Sequence, residues 1–273
     1  MGSNWMELFL AQNDFLVSGA ESFARVFGLP EETRPSVRFV AFPHGRGYIS
    51  MYFLIAENVH PNESPKVAAA LRGHPVYYGI RTLFDPLYVL LTQKDGGFFL
   101  DRAMTSHELA KWFHQKESRL RRDIGTGKAT NKPDSLRKSD QFRVFTGKYL
   151  TRYAVSNDID AIRLAVSDAE RPLLLELKKP RESIKQWQPY TDDCANYAYL
   201  RAFARHKNID FRVICYNVNR RNQVQLVLDP ECEKPNRASA WIDYKYGLVT
   251  PQAAVGPTPP LQLGRSTRKR QVN

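Results

Sequence analysis

The sequence predicts an α/β protein in which helix-like and strand-like segments alternate. Apolar residues recur at helical spacing in residues 105–124 and 189–207, which indicates two helices that each bury one face. Residues 173–178 place leucines on one face and charged side chains on the other, and residues 211–216 are mostly apolar, as is typical of strands. The chain has 273 residues, enough for one large domain or two modest ones.

The first hundred residues form an α+β pattern in which no catalytic motif stands out. Residues 4–29 carry apolar side chains at helical spacings and predict a helix that ends near Gly28 and Pro30. Strands are predicted at residues 37–42, 48–56, 76–80, 87–92 and 98–100. The turn-forming segment PHGRG separates the first two strands, and KDGG closes a hairpin into the last.

The helix predicted at residues 105–124 begins with a capping box, because Thr105 and Glu108 have the T-x-x-E spacing. Glu117 on this helix is a candidate accessory carboxylate, and a solvent-facing position is the alternative. The helix predicted at residues 189–207 begins with Pro189, a residue favoured at the first helical position. Residues 223–228 are predicted to pair with the strand at 211–216.

A basic segment follows the capped helix and predicts a loop that contacts a phosphate backbone. A solvated surface loop is the alternative, although such loops usually contain more even numbers of positively and negatively charged residues. Within it, GTGK lacks the first glycine and the final Ser or Thr of a phosphate-binding loop, which excludes that motif. Nine basic residues stand against three aspartates in residues 119–148, a net charge of +6: Arg119, Arg121, Arg122, Lys128, Lys132, Arg137, Lys138, Arg143 and Lys148 against Asp123, Asp134 and Asp140.

Acidic residues occur on two predicted strands where apolar residues would be expected. Asp158 and Asp160 are two residues apart and are predicted to share one face of a strand. Glu176 and Lys178 share a face of the next strand, opposite its leucines. Two carboxylates and an ammonium group that converge from neighbouring strands cost desolvation energy unless something compensates them. A divalent cation and a phosphate would do so.

The order of elements and the spacing of Asp160 from Glu176-Leu177-Lys178, with fifteen residues between, resemble the PD-(D/E)XK nuclease superfamily. The resemblance covers roughly residues 105–228. It implies a restriction-endonuclease-like mixed sheet flanked by helices, preceded by the N-terminal α+β region. It also implies that Asp160 and Glu176 bind Mg²⁺ or Mn²⁺ with the carbonyl of Leu177, and that Lys178 orients the attacking water or stabilises developing charge.

Either Asp158 or Asp160 could be the first metal ligand. Asp160 is preferred because the predicted strand continues beyond it. The residue before Asp160 is Ile159, where the superfamily often has proline. Gln186 and Tyr190 have a Q-x-x-x-Y spacing that is similar to that of the RecB-type branch, and Gln188 is an alternative because Pro189 lies inside the motif. Lys179 is a candidate phosphate contact.

The bulk composition favours a nucleic-acid partner, since the net charge is +12 and no basic amphipathic helix of the membrane type is evident. The three cysteines form no CxxC pair, and no signal sequence or membrane span is evident, so a cytoplasmic protein is expected. We expect residues 1–104 to serve substrate recognition or dimerisation, residues 105–250 to form the nuclease core, and residues 251–273 to form a flexible basic tail.

The resemblance implies a magnesium-dependent endonuclease that cuts double-stranded DNA, most simply a type II restriction enzyme. Such an enzyme would act as a homodimer, because one chain offers one active site and duplex DNA has two strands. The alternatives are a structure-specific or repair nuclease of the RecB or resolvase kind, or an RNA-cleaving relative. A catalytically inactive nucleic-acid-binding module is a further alternative of a different class.

Overall fold

The computed structural model of the chain describes residues 5–44, 47–116, 140–150, 154–165, 167, 170–179, 194–217, 224–228 and 246–249. The described helices are α1 (Trp5–Gln12), α2 (Glu21–Val26), α3 (Ser64–Gly73), α4 (Pro75–Leu83), α5 (Ser106–Lys116), α6 (Gln141–Tyr149) and α7 (Cys194–Lys207). The described strands are β1 (Phe15–Val17), β2 (Ser36–His44), β3 (Gly47–Val59), β4 (Leu87–Gln93), β5 (Phe98–Leu100), β6 (Arg102–Met104), β7 (Val155–Ile159), β8 (Ala161–Arg163), β9 (Leu173–Lys178), β10 (Asp210–Tyr216), β11 (Val224–Leu228) and β12 (Tyr246–Val249).

The chain divides into two compact units, each built on its own mixed sheet. The central unit is Ser18–Ile159, and the terminal unit combines Met1–Val17 with Asp160–Asn273. The α/β class predicted from the sequence is confirmed. The division does not fall at residue 104, where the sequence suggested a boundary. It falls elsewhere because β7 pairs with β2 in one sheet whereas β1 pairs with β8 in the other.

The central unit contains a sheet with the strand order β6-β5-β4-β3-β2-β7. The predicted hairpin β4–β5 is confirmed as an antiparallel pair. The strands predicted on either side of PHGRG, β2 and β3, also form an antiparallel pair, and β3 and β4 are parallel. Phe53 is fully buried and anchors the core on this sheet. Its ring centroid lies 5.5 Å from those of Phe113 and Phe142 and 6.2 Å from that of Trp112, so α5 and α6 pack on one side of β3.

The terminal unit contains a sheet with the strand order β1-β8-β9-β10-β11-β12. Strands β9 and β10 are parallel, with α7 in the connection between them, and the predicted pairing of β10 with β11 is confirmed as antiparallel. The ring of Trp5 on α1 contacts Tyr216, whereas Tyr197 on α7 lies beside Lys178. Because Lys178 pairs with Cys215 and successive strand residues point to opposite faces, α1 and α7 cover opposite faces of this sheet.

Two secondary-structure predictions near the N-terminus are wrong. Residues 4–29 do not form one helix, because the left-handed backbone at Asp14 (φ 61°) and Gly19 (φ 73°) frames the short strand β1. Residues 76–80 belong to helix α4, not to a strand. Pro75 occupies the first turn of α4, and the side chain of His74 accepts a hydrogen bond from the Val76 amide at 3.2 Å.

The predicted capping box at the start of α5 is confirmed. The Thr105 amide donates to Glu108 Oε2 at 2.8 Å, and the Glu108 amide donates to Thr105 Oγ1 at 3.2 Å. The bond from the Thr105 amide, followed by those from the Thr105 hydroxyl and the Arg102 guanidinium, lowers the pKa of the Glu108 carboxyl. The predicted helices at 105–124 and 189–207 are seen over Ser106–Lys116 and Cys194–Lys207, and their remaining residues lie outside the described ranges. None of the helices within those ranges is long and apolar enough to cross a membrane.

Candidate active site

Strands β8 and β9 of the terminal unit bring together Asp160, Glu176 and Lys178. In the antiparallel register of these strands Ala161 lies opposite Leu175, so Asp160 is opposite Glu176 when the register is extended by one residue. Residues opposite each other in a sheet share a face, and Lys178 shares that face with Glu176 because it lies two residues further on. The three charged side chains therefore meet at the carboxyl end of β9.

Asp160 lies between two strands, where the chain leaves β7 in one sheet and enters β8 in the other. The expectation that Asp158 and Asp160 share a face of one strand is therefore wrong. Oδ2 of Asp160 accepts a hydrogen bond from the Leu177 amide at 2.6 Å. This bond ties the carboxylate to the strand that carries Glu176 and Lys178 and limits its rotation.

Glu176 and Lys178 form an ion pair that is mostly removed from solvent. Nζ of Lys178 lies 2.9 Å from Oε1 of Glu176, and the two side chains are 17% and 2% exposed. Glu176 is buried because β9 is an inner strand, with β8 on one side and β10 on the other. Burying such a pair costs several kcal/mol per ion before the attraction is counted, so its placement at a strand end needs a reason other than stability.

Tyr197 of α7 lies beside the charged group, although the sequence pattern gives it no role beyond the apolar side of a helix. It is fully buried, and Nζ of Lys178 lies 5.4 Å from the centre of its ring. A cation over an aromatic face is attracted by the ring quadrupole, so Tyr197 helps to fix the position of the ammonium group. Only the crossover from β9 through α7 brings these two residues together, and no spacing in the sequence reports that contact.

The donor set of this site fits a small, hard divalent cation. Asp160 and Glu176 supply carboxylate oxygens, and the carbonyl of Leu177 lies between Glu176 and Lys178 in the chain. Within the described ranges no group of three or more His, Cys, Asp or Glu side chains could hold a metal ion on its own. Mg²⁺ commonly uses one or two carboxylates and keeps several waters, so two carboxylates are sufficient for it.

Lys179 follows β9 directly and lies on the opposite face from Lys178. Its Nζ is 3.7 Å from Oε1 of Glu7 on α1 and 5.8 Å from the ring centre of Tyr216. Burial alone would lower the pKa of Lys179, but Tyr216, Glu7 and Asp160 together raise it above its usual value. The side chain is half exposed and stays protonated at physiological pH.

Asp158 belongs to a polar cluster of the central unit. It lies on β7 opposite Arg38 of β2 in the antiparallel register. The Arg38 guanidinium donates from Nη1 to both carboxylate oxygens of Asp140 at 2.7 Å and pairs through Nη2 with Glu57 at 3.0 Å. Burial raises the pKa of Glu57 to about 7, although Arg38 opposes this effect. Asp158 lines a cavity of about 230 Å³ together with Arg38, Glu57 and Asp140, so its charged neighbours there belong to the central unit.

The remaining candidates lie outside the described residues. The accessory candidates in this group are Glu117, Gln186, Gln188 and Tyr190. The candidate nucleic-acid contacts in this group are Arg119, Arg121, Arg122, Lys128, Lys132, Arg137 and Lys138.

Comparisons with known proteins found no protein-family model, curated protein or solved structure that matches this chain.

Proposed function

We propose that this protein is a metal-dependent endonuclease that hydrolyses phosphodiester bonds in duplex DNA, with a restriction-endonuclease-like core in the terminal unit. The observation that carries the proposal is the convergence of Asp160, Glu176 and Lys178 on one face at the end of β9. The net charge of +12 supports a polyanionic substrate.

In this proposal the two carboxylates would hold Mg²⁺ or Mn²⁺ beside the scissile phosphate. A bound divalent cation would neutralise charge on the phosphate and lower the pKa of a bound water. Asp160 is held by the Leu177 amide and Glu176 by Lys178, so both ligands are oriented before substrate arrives. The carbonyl of Leu177 is a further oxygen donor at the same strand end.

In this proposal Lys178 would act on the water or on the phosphate. Its ammonium group is fixed between the Glu176 carboxylate and the Tyr197 ring. From there it would orient the water whose oxygen attacks phosphorus, while the bond from phosphorus to the leaving sugar oxygen breaks. The attacking water gives up one proton to solvent, and the leaving sugar oxygen takes up one proton from solvent. The same positive charge stabilises the phosphorane as negative charge develops on its oxygens.

The simplest enzyme with these properties is a type II restriction endonuclease of the cytoplasm. Each chain offers one such site, and cutting both strands of a duplex then requires two chains. A homodimer on DNA is the expected functional form.

The experiment that tests the function is incubation of the purified protein with plasmid DNA in Mg²⁺ and in EDTA, followed by sequencing of the new ends. We expect cleavage in Mg²⁺ and none in EDTA, because charge neutralisation at phosphorus depends on the cation. Discrete ends would indicate a restriction enzyme, whereas ends scattered over the sequence or found only at branched DNA would indicate the repair or resolvase class. Cleavage that persists in EDTA would contradict the proposed mechanism.

A further inference from the structure

A strongly basic cavity of about 450 Å³ lies in the terminal unit, away from the candidate active site. Four arginines and one aspartate line it and leave a net charge of +3. These residues are Arg171, Arg201, Arg205, Arg212 and Asp210. A concave surface with this excess of positive charge focuses potential and attracts anions.

The arginines reach the cavity from three separate elements. Arg171 precedes β9, Arg201 and Arg205 lie one turn apart on α7, and Arg212 lies on β10. Cations are favoured in the last turn of a helix, which accounts for Arg205. That effect does not account for Arg171, which precedes β9, or for Arg212 on β10. Arg171 and Arg212 add positive charge to the same concave surface, as a site for an anion would.

The guanidinium of Arg212 is incompletely paired by its neighbours. Its Nη1 donates to the Phe211 carbonyl at 2.7 Å, and its Nη2 lies 3.8 Å from Asp210 Oδ2, a distance too long for a hydrogen bond. Its Nε is buried and has no acceptor among the described residues. A buried donor without an acceptor is energetically costly, and contacts among the described residues do not offset that cost.

The cavity and the candidate active site lie at opposite ends of the same two strands. In the parallel register Asp210 pairs with Leu173 at the start of β9, and Cys215 pairs with Lys178 at its end. Five residues of extended strand span roughly 16 Å. One phosphate cannot contact both places, whereas a polymer with phosphates along its length can.

We infer that this arginine cavity binds backbone phosphates of duplex DNA at a distance from the bond that is cut. The identity of the ligand rests on the proposed function, since the cavity itself specifies only phosphate-like oxyanions. Arginine pairs with phosphate through two parallel hydrogen bonds, and Arg201 and Arg205 are spaced by about 6 Å along the helix axis. The site contributes affinity and register on the duplex, not base recognition.

The test uses the full chain with Arg171→Ala and Arg205→Ala combined, because both side chains are exposed and their loss does not disturb the core. Binding to a duplex of about 30 base pairs is measured by fluorescence anisotropy in EDTA over a range of salt concentrations. We expect roughly tenfold weaker binding at low salt and a salt-dependence slope that is smaller by about 2. The matched control is Arg25→Ala with Arg81→Ala, two exposed arginines of the central unit, which should bind like the wild type.

An equal loss of affinity in both double variants would overturn the inference, because total charge would then explain the effect. An unchanged slope in the cavity variant, or wild-type protein that does not bind the duplex, would overturn it as well. Inorganic phosphate is titrated in parallel, and binding of free phosphate without binding of the duplex would reject DNA as the ligand. The binding assay contains EDTA and does not depend on cleavage. A wild type that binds the duplex in this way but never cuts it in Mg²⁺ would therefore contradict the nuclease proposal and leave this inference standing.

Discussion

Glu176→Gln is expected to reduce Mg²⁺-dependent DNA cleavage by about a hundredfold or more, while DNA binding stays within a few-fold of wild type. Glutamine has nearly the same shape, so it fills the same buried position on β9. It lacks the negative charge that would hold a divalent cation, and it cannot neutralise Lys178. Single-turnover cleavage of a labelled duplex measures the chemical step, and anisotropy in EDTA measures binding.

Lys178→Met should lose cleavage to a similar extent, since methionine keeps the apolar stem against Tyr197 and removes the ammonium group. Glu63→Gln and Lys66→Met provide matched controls, because both residues are exposed on the surface of the central unit. Thermal unfolding of all four variants checks that the protein is folded. A folded Glu176→Gln variant that cuts DNA at the wild-type rate would rule out Glu176 as a metal ligand.

Arg38→Met is expected to destabilise the protein by about 3 kcal/mol, the largest effect on stability that we expect outside the hydrophobic core. The Arg38 guanidinium is paired with both Asp140 and Glu57, and its side chain is 11% exposed. It also lies 5.9 Å from the centre of the Phe142 ring. Removing it leaves two mostly buried carboxylates without a counter-charge. Urea unfolding followed by tryptophan fluorescence measures the change in the free energy of unfolding.

Arg25→Met is the matched control, because Arg25 also forms an ion pair, at 3.5 Å from Glu31, but both side chains are more than half exposed. It should change the free energy of unfolding by less than about 0.5 kcal/mol. Equal effects of the two substitutions would show that the Arg38 cluster is not a buried network.

The cost of Arg38→Met should also depend on pH through Glu57. The folded-state pKa of Glu57 is about 7, above the ordinary value of 4.5, so the neutral form is favoured on folding. The stability that this group contributes is fully present below pH 4.5 and is lost as pH rises through about 7. Above pH 7 the ionised Glu57 depends on Arg38, and the substitution should therefore cost more at pH 8 than at pH 6. A cost that is the same at both pH values would contradict the assigned role of Glu57.

The sequence predicted local structure well where a local pattern determines it. The capping box of Thr105 and Glu108 and the hairpin of β4 and β5 depend on neighbours in the chain, and both were predicted. Residues 76–80 were predicted wrongly, because a short apolar run fits a strand or a helix and the contacts of α4 decide between them.

The candidate site was only partly predictable, because it depends on which strands pair. The spacing of Glu176 and Lys178 identifies a shared strand face. The spacing of residues in the sequence does not show that the chain passes from one sheet to the other at Asp160, so that Asp158 belongs to the central unit. The contact of Tyr197 with Lys178 and the convergence of Arg171 with Arg205 were missed for the same reason, since residues far apart in the chain form both.

The most direct measurement of the central claim compares Asp160→Asn with Asp158→Asn in Mg²⁺-dependent plasmid cleavage. Asparagine at position 160 still accepts the hydrogen bond from the Leu177 amide, so only the charge is lost. We expect Asp160→Asn to lose cleavage by about a hundredfold and Asp158→Asn to stay within about threefold of wild type. Full cleavage by Asp160→Asn together with loss of cleavage in Asp158→Asn would contradict the assignment of the site to Asp160, Glu176 and Lys178.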